Sequence, residues 1–294
     1  MTTNVAASFQ YHAPSSVEEA SRLLSKYRGA AKLLAGGHSL LPLVKLRLTE
    51  PEALIDLGRI KGLSYVRSGR GGGLAIGAMT TYYELESSAA VQRAAPVLAE
   101  AAAQVADTQV RNMGTIGGSL AHSDPAGDLP AVALALGAEL EARSARSSRT
   151  IAIDGFFRGL LTTSLRASEV LTEIRIPALP ARTGTAYTKL ANKASHYAVV
   201  GVAAVITLDS KRVCTGARVA VTGAGPHAVR AKRTERILIG KQLSDSVVRR
   251  AAERAGAEIG GEFNSDVHAS AEYREAMTKV FAERAIEAAA GRAR

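Results

Sequence analysis

Apolar and polar positions along this chain fall into short strand-like runs and longer helical stretches, with glycines at the joints. Ser15 and Ser16, followed three residues later by Glu18 and Glu19, form a capping box that predicts a helix to about Tyr27, with Gly29 as its stop. Lys32–Ala35 reads as a short apolar strand running straight into Gly36-Gly37-His38-Ser39. A further strand is expected at Ala53–Leu57, after Pro51. The run Ser68-Gly69-Arg70-Gly71-Gly72-Gly73 separates strands near Leu63–Val66 and Leu74–Gly77, so a hairpin turn is the plain reading. Thr80 or Thr81 caps a short helix, and Pro96 opens an alanine-rich one ending near Val105. A glycine-rich loop at Met113–Ser119 then leads through a polar turn into a helix beginning near Asp128. Glu139–Arg143 and Arg149–Ile153 pair as a hairpin, and Val170–Ile176 is a strand closed by Pro177.

Residues 178–184 carry the strongest linker signal. Beyond them Thr185–Leu190, Ala198–Leu208 and Val213–Val221 are β-rich, and helices are expected at Arg233–Ile239, Ser244–Ile259 and Ala271–Ala290. The pattern predicts an α+β protein: small lobes at 1–60 and 61–177, then a domain at 178–294 with an antiparallel sheet backed by helices.

Composition narrows the function classes. No apolar run approaches bilayer length, and residues 1–8 show no basic stretch followed by an apolar one, so neither a membrane span nor a secretory leader is expected. One cysteine, Cys214, excludes an internal disulfide framework and any iron–sulfur cluster held by this chain alone. The net charge of +10 invites a nucleic-acid reading. Residues 1–179 hold 18 Lys/Arg against 16 Asp/Glu, whereas residues 180–294 hold 19 against 11, so the excess lies in the last third, mixed with acids on expected helices. With no Trp and only five Phe there is no basic block interleaved with aromatics, and a solvated or partner-facing surface is the better reading.

The chemistry sits in two glycine segments. Phosphate groups need several backbone N–H donors converging on one place with no Cβ in the way. Ala35-Gly36-Gly37-His38-Ser39 offers that at a strand end, and Arg111–Ser119, with Thr115-Ile116-Gly117-Gly118-Ser119 at its close, reads as the same device again. Either segment alone is more often a tight turn; the pair predicts a clasp around a pyrophosphate. Neither is a Walker A sequence, and neither has the Gly-x-Gly-x-x-Gly spacing of the doubly wound dinucleotide fold. On this reading a bulky side chain at Gly37 or at Gly118 would abolish cofactor retention equally.

Ala35–Ser39 followed by Leu40-Leu41-Pro42-Leu43-Val44-Lys45-Leu46-Arg47 resembles the first FAD loop of the medium subunits of molybdenum hydroxylases, most closely those of aerobic carbon monoxide dehydrogenases. Asp107–Ser119 resembles the second loop, and the likeness continues through Ile76–Thr80, Glu173–Pro177 and Tyr187–Leu190. The turn Ala121–Pro125 differs at His122 and Ser123 from the Asn-Gly-Asp-Pro pattern expected of carbon monoxide dehydrogenases, within the wider family's variation, so the resemblance bears on FAD more than on carbon monoxide as substrate. The resemblance implies a two-subdomain FAD-binding fold of the vanillyl-alcohol-oxidase type with a C-terminal domain. It places Ala35–Ser39, Leu40 and Thr115–Ser119 at the pyrophosphate, Asp128 at the adenosine or diphosphate portion, Lys189 near the flavin and Tyr197 against the isoalloxazine ring. It also implies partners: a small subunit with two [2Fe–2S] clusters and a large one with the molybdenum–pterin cofactor, assembled as a dimer of heterotrimers. The setting implied is cytoplasmic, in contact with the inner face of the membrane through the complex.

Plainer readings stand beside these. His38 is structural rather than an acid–base group, His122 and Asp124 form a polar turn rather than a metal pair, and Asp128 caps a helix at Leu129–Leu136. Two rival functions remain: a stand-alone FAD-dependent oxidoreductase, which would need its own acid or base beside the flavin, and a cofactor-free interaction module on the same fold.

Overall fold

A computed structural model describes residues 6–293, so the first five residues of the stretch read for a leader lie outside the described residues. Three main sheets follow one another along the chain. The first is parallel, with β1 (Gln10–His12), β2 (Ala31–Leu34) and β3 (Ala53–Asp56) in the order β1-β3-β2. Helix α1 (Val17–Tyr27) packs Val17, Ala20 and Leu24 against Ala53 and Ile55, each such burial of a large aliphatic side chain contributing about 1.5–3 kcal/mol. Its capping box is split between two serines: Ser16 accepts from the Glu19 N–H, while the Glu19 carboxylate accepts from Ser15. The left-handed stop begins at Arg28, φ 48°, one residue before Gly29. A six-residue helix, α2 (Leu40–Lys45), follows the first glycine segment. It is too short to show a helical period, and Pro42 is tolerated in its first turn, where N–H groups have no intrahelical partner.

The second sheet is antiparallel. β4 (Val66–Ser68) and β5 (Leu74–Gly77) form the expected hairpin around the glycine run. Six helices come next: α3 (Tyr82–Ser87), α4 (Ala89–Ala94), α5 (Pro96–Ala103), α6 (Thr108–Met113), α7 (Ile116–His122) and α8 (Asp128–Leu136). β6 (Glu139–Arg143), β7 (Ser148–Ala152), the small ribbon β8 (Phe157–Gly159) and β9 (Thr162–Thr163), and β10 (Val170–Ile176) complete the lobe, in the sheet order β4-β5-β10-β6-β7. Thr81 closes a full capping box with Glu84.

Two expectations need correcting here. The second glycine segment is not a loop: Thr115 is the N-cap of α7 and accepts from the Gly118 N–H, so Ile116–Ser119 form the helix's first turn. Nor does Asp128 cap its helix. Gly127 holds that position, and Asp128 is the first residue of a helix buried on every side, packed between α5 and the C-terminal sheet.

The third sheet is antiparallel and runs β11 (Thr183–Ala191), β12 (Ala198–Leu208), β13 (Cys214–Thr222), β14 (Val229–Arg230), covered by α9 (Lys232–Leu238), α10 (Asp245–Ala252) and α11 (Ala271–Arg292). This is the α+β architecture with a helix-backed antiparallel C-terminal sheet that the pattern predicts. The helix expected over 244–259 ends at Ala252, where bonds four residues back give way to tighter ones three back (Arg254 to Ala251, Ala255 to Ala252), and the chain then turns through Gly260 and Gly261 at positive φ. Among the described residues no helix is long and apolar enough to cross a membrane.

Candidate cofactor-binding site

The two glycine segments meet. A Cβ on Gly36 would stand 2.1 Å from the Met113 carbonyl oxygen, so only glycine lets the backbones touch. Gly37 turns the chain at φ 76°, a conformation that side-chain-bearing residues rarely adopt. Gly117 lets α7 press onto the end of β5, where a Cβ would fall 2.5 Å from that of Ala78. Between these segments, the 105–107 turn, Tyr82 and the 194–197 segment lies a cavity of about 930 Å³, at the upper end of the range for small-molecule and cofactor sites.

The peptide groups of the two segments behave differently. Among the described residues, no acceptor faces the N–H groups of Gly36, Gly37, His38, Ser39 or Leu40. In the second segment the Ile116 N–H donates to Thr80, that of Gly117 to Ala78, that of Gly118 to the Thr115 hydroxyl and that of Ser119 to the Thr115 carbonyl. The clasp expected from two equal sets of donors is therefore one-sided. The first segment presents free N–H groups; the second presents a smooth helical surface and the hydroxyls of Thr115 and Ser119.

Ala35, Gly36, Gly37, His38, Ser39, Leu40, Thr115, Gly117, Gly118, Ser119, Asp128 and Tyr197 all line the cavity, and Ile116 and Lys189 do not. Ile116 is buried in the core of the second lobe. Lys189 lies behind the wall, its ammonium 3.1 Å from an Asp128 carboxylate oxygen. Burial pushes the Asp128 carboxyl up, against the opposing charge of Lys189 and a hydrogen bond from Tyr187. Tyr197 is part exposed; burial raises its phenol, helped by the Asp124 carboxylate and opposed by the Ser39 hydroxyl.

Sequence reasoning gave no role to Tyr82 or Tyr187 and read His122 only as part of a polar turn. Tyr82 lines the cavity, its phenol pushed up to about 12 by burial. His122 lines it too, 3.8 Å from Asp124, and burial lowers its imidazole below the ordinary value. Tyr187, out of the lining, donates to Asp128 at 2.5 Å. Its position two residues from Lys189 on one strand was the available signal, because alternate strand residues share a face. Among the described residues no group of three potential metal ligands exists.

Residues 7–179 match the model described as the FAD binding domain in molybdopterin dehydrogenase, and residues 185–289 match the CO dehydrogenase flavoprotein C-terminal domain. The chain belongs to this FAD-binding family of molybdopterin dehydrogenases. It is 44% identical to the carbon monoxide dehydrogenase medium chain of Hydrogenophaga pseudoflava over 96% of each chain. It is 39% identical to the 6-hydroxypseudooxynicotine dehydrogenase complex subunit alpha of Paenarthrobacter nicotinovorans, over 98% of this chain and 96% of that one. A solved carbon monoxide dehydrogenase from Hydrogenophaga pseudoflava superposes with a TM-score of 0.94 at 44% identity, over 99% of this chain and 100% of that one.

The family's cofactor is FAD, and the residues present fit it. A cradle of unsatisfied N–H groups in which a Cβ at Gly36 would meet backbone suits a diphosphate, and the cavity runs from that cradle to the aromatic side chain of Tyr197.

Proposed function

We propose that this chain is the FAD-carrying, electron-transferring subunit of a molybdenum hydroxylase. It takes electrons from [2Fe–2S] clusters on a small partner subunit, supplied in turn by a molybdenum–pterin centre on a large one, and passes them to an external acceptor. The observation that carries this reading is the first glycine segment, whose residues line a cavity of cofactor size and whose N–H groups find no acceptor among the described residues. Bound FAD supplies a redox centre able to exchange one or two electrons.

The chain's own residues bind and orient. The N–H groups of Gly36–Leu40 would hold the diphosphate, with support from the hydroxyls of Ser39, Thr115 and Ser119, and Tyr197 would flank the ring system. Residues 1–60 and 61–177 are the two FAD-holding lobes, and 178–294 is the C-terminal domain. Cys214, the sole cysteine, is buried, whereas a cluster needs several thiolates, so the clusters belong to another chain. The assembly in this reading is a cytoplasmic dimer of heterotrimers.

Purification of the chain with its native partners tests the proposal. The expected result is acid-released FAD, one per chain, with an iron–sulfur chain and a molybdenum chain in the same complex. Recovery of FMN would overturn the dinucleotide reading. Substrate turnover by this chain alone would favour the stand-alone oxidoreductase.

A further inference from the structure

Behind the cavity wall, buried side chains form a linked series. Tyr187 and Lys189 stand two residues apart on β11 and both reach Asp128 at the start of α8. The Tyr187 hydroxyl donates to the carboxylate at 2.5 Å, and the Lys189 ammonium lies 3.1 Å from it. Lys189 also donates to the carbonyl oxygens of Gln104, at 2.6 Å, and His196, at 2.8 Å, so all three of its hydrogens are engaged.

Those two carbonyls mark the cavity's edge. Gln104 ends α5 just before Val105, Ala106 and Asp107, which line the cavity; His196 directly precedes Tyr197. His196 is held at φ 60°, uncommon for a residue with a side chain, and its ring bonds the Ala106 carbonyl at 3.0 Å. Gly201 on β12 makes room for the device. It is the register partner of Lys189, and a Cβ there would stand 2.4 Å from the Tyr187 phenol oxygen.

We propose that Tyr187, Asp128 and Lys189 act together as positioning residues, fastening the C-terminal sheet to the segment that carries Tyr197 and so setting where the aromatic wall of the FAD site stands. The inference rests on reading the cavity as the FAD site. Lys189 influences the flavin through the position of the 194–197 segment, because its hydrogens are spent on Asp128, Gln104 and His196. Tyr187 belongs to the same unit although it is sealed from the cavity.

The test uses the chain in its complex, with Tyr187→Phe, Lys189→Met and the double variant, measuring FAD dissociation and flavin fluorescence. Tyr187→Phe keeps the ring that fills the space beside Gly201 and removes only the donor. It should weaken FAD binding about tenfold, the scale of one buried hydrogen bond to a charged group. Fluorescence should rise as Tyr197 leaves the ring. Lys189→Met should do at least as much, and the double variant no more than Lys189→Met alone, since both partners act on one carboxylate. Wild-type FAD affinity and fluorescence in Tyr187→Phe, with or without a drop in melting temperature, would overturn the proposal. So would a Lys189→Met protein with unchanged affinity and a shifted flavin reduction potential, the sign of a lysine acting on the ring directly. A wild-type complex that releases no FAD sinks the reading of the cavity itself, whatever the variants do.

Discussion

Gly36-Gly37 and Gly117-Gly118 look alike in sequence and do opposite things in the fold. The first pair bends the chain through a positive φ and leaves five successive N–H groups, Gly36 to Leu40, without an acceptor among the described residues. The second pair lies in the first turn of α7, at ordinary helical geometry, with both N–H groups already bonded. There the missing Cβ serves packing: Gly117 admits Ala78, and Gly118 sits over Thr115 and Ala35. A Gly-Gly pair thus states only that a Cβ is unwelcome. Whether the reason is a donor array or a close contact depends on residues far away in sequence.

The variant expected to act most strongly is Gly36→Val, because it strikes where the two segments join. Its Cβ would fall 2.1 Å from the Met113 carbonyl oxygen and 2.8 Å from the Gly114 Cα, with backbone on both sides and no side chain able to step away. We expect a loss of about 3 kcal/mol or more, the top of the range for overpacking, together with loss of flavin. Urea unfolding with a parallel flavin assay measures both. A stable, flavin-replete Gly36→Val protein would show that the segments do not touch as described.

Gly37→Ala and Gly118→Ala separate the two roles. At Gly37 the φ of 76° makes alanine cost roughly 1–2 kcal/mol, and relief of that strain turns the N–H groups away, so flavin should be lost. At Gly118 the nearest atoms to a new Cβ are the Thr115 hydroxyl at 2.8 Å and the Ala35 Cβ at 3.6 Å, a contact relieved by a small shift of the hydroxyl that caps α7. Gly118→Ala should cost under about 1 kcal/mol and keep most of its flavin. The flavin-to-protein absorbance ratio after gel filtration compares them. Equal loss in both would mean that the second segment does contribute donors, as the sequence alone predicts.

How much was legible follows the same division. Local devices could be read directly: the caps at Ser16 and Thr81, the hairpin around 69–73 and the strand Ala198–Leu208 depend on neighbours within a few residues. The glycine segments were legible as places, since their residues do line one cavity. What hid the N–H bookkeeping was that Ile116 and Gly117 find their acceptors at Thr80 and Ala78, some forty residues upstream. The resemblance places Lys189 near the flavin, whereas the structure sets it behind the cavity wall. Nothing near it in sequence shows that Asp128, Gln104 and His196 will claim its hydrogens. α2 escaped because six residues with a proline carry no period to read.

The smallest effect expected concerns the far end of α7, where the helix reaches the cavity through His122. Burial lowers this imidazole below its ordinary value near 6.5; Lys32 adds to the lowering, and Asp124, 3.8 Å away, opposes it. A histidine whose folded value is depressed favours the native state fully above its unfolded value. That contribution is lost as pH falls through the folded value, because the unfolded chain binds the proton more readily. The melting temperature should therefore fall between pH 7 and pH 5 more steeply in the wild type than in His122→Asn, the two curves running parallel above pH 7. The difference is one of slope, seen most simply by thermal melts of both proteins across a pH series. Identical slopes would place the imidazole in solvent rather than in the cavity wall. α7 would then meet the cofactor site only through its small residues and the hydroxyls of Thr115 and Ser119.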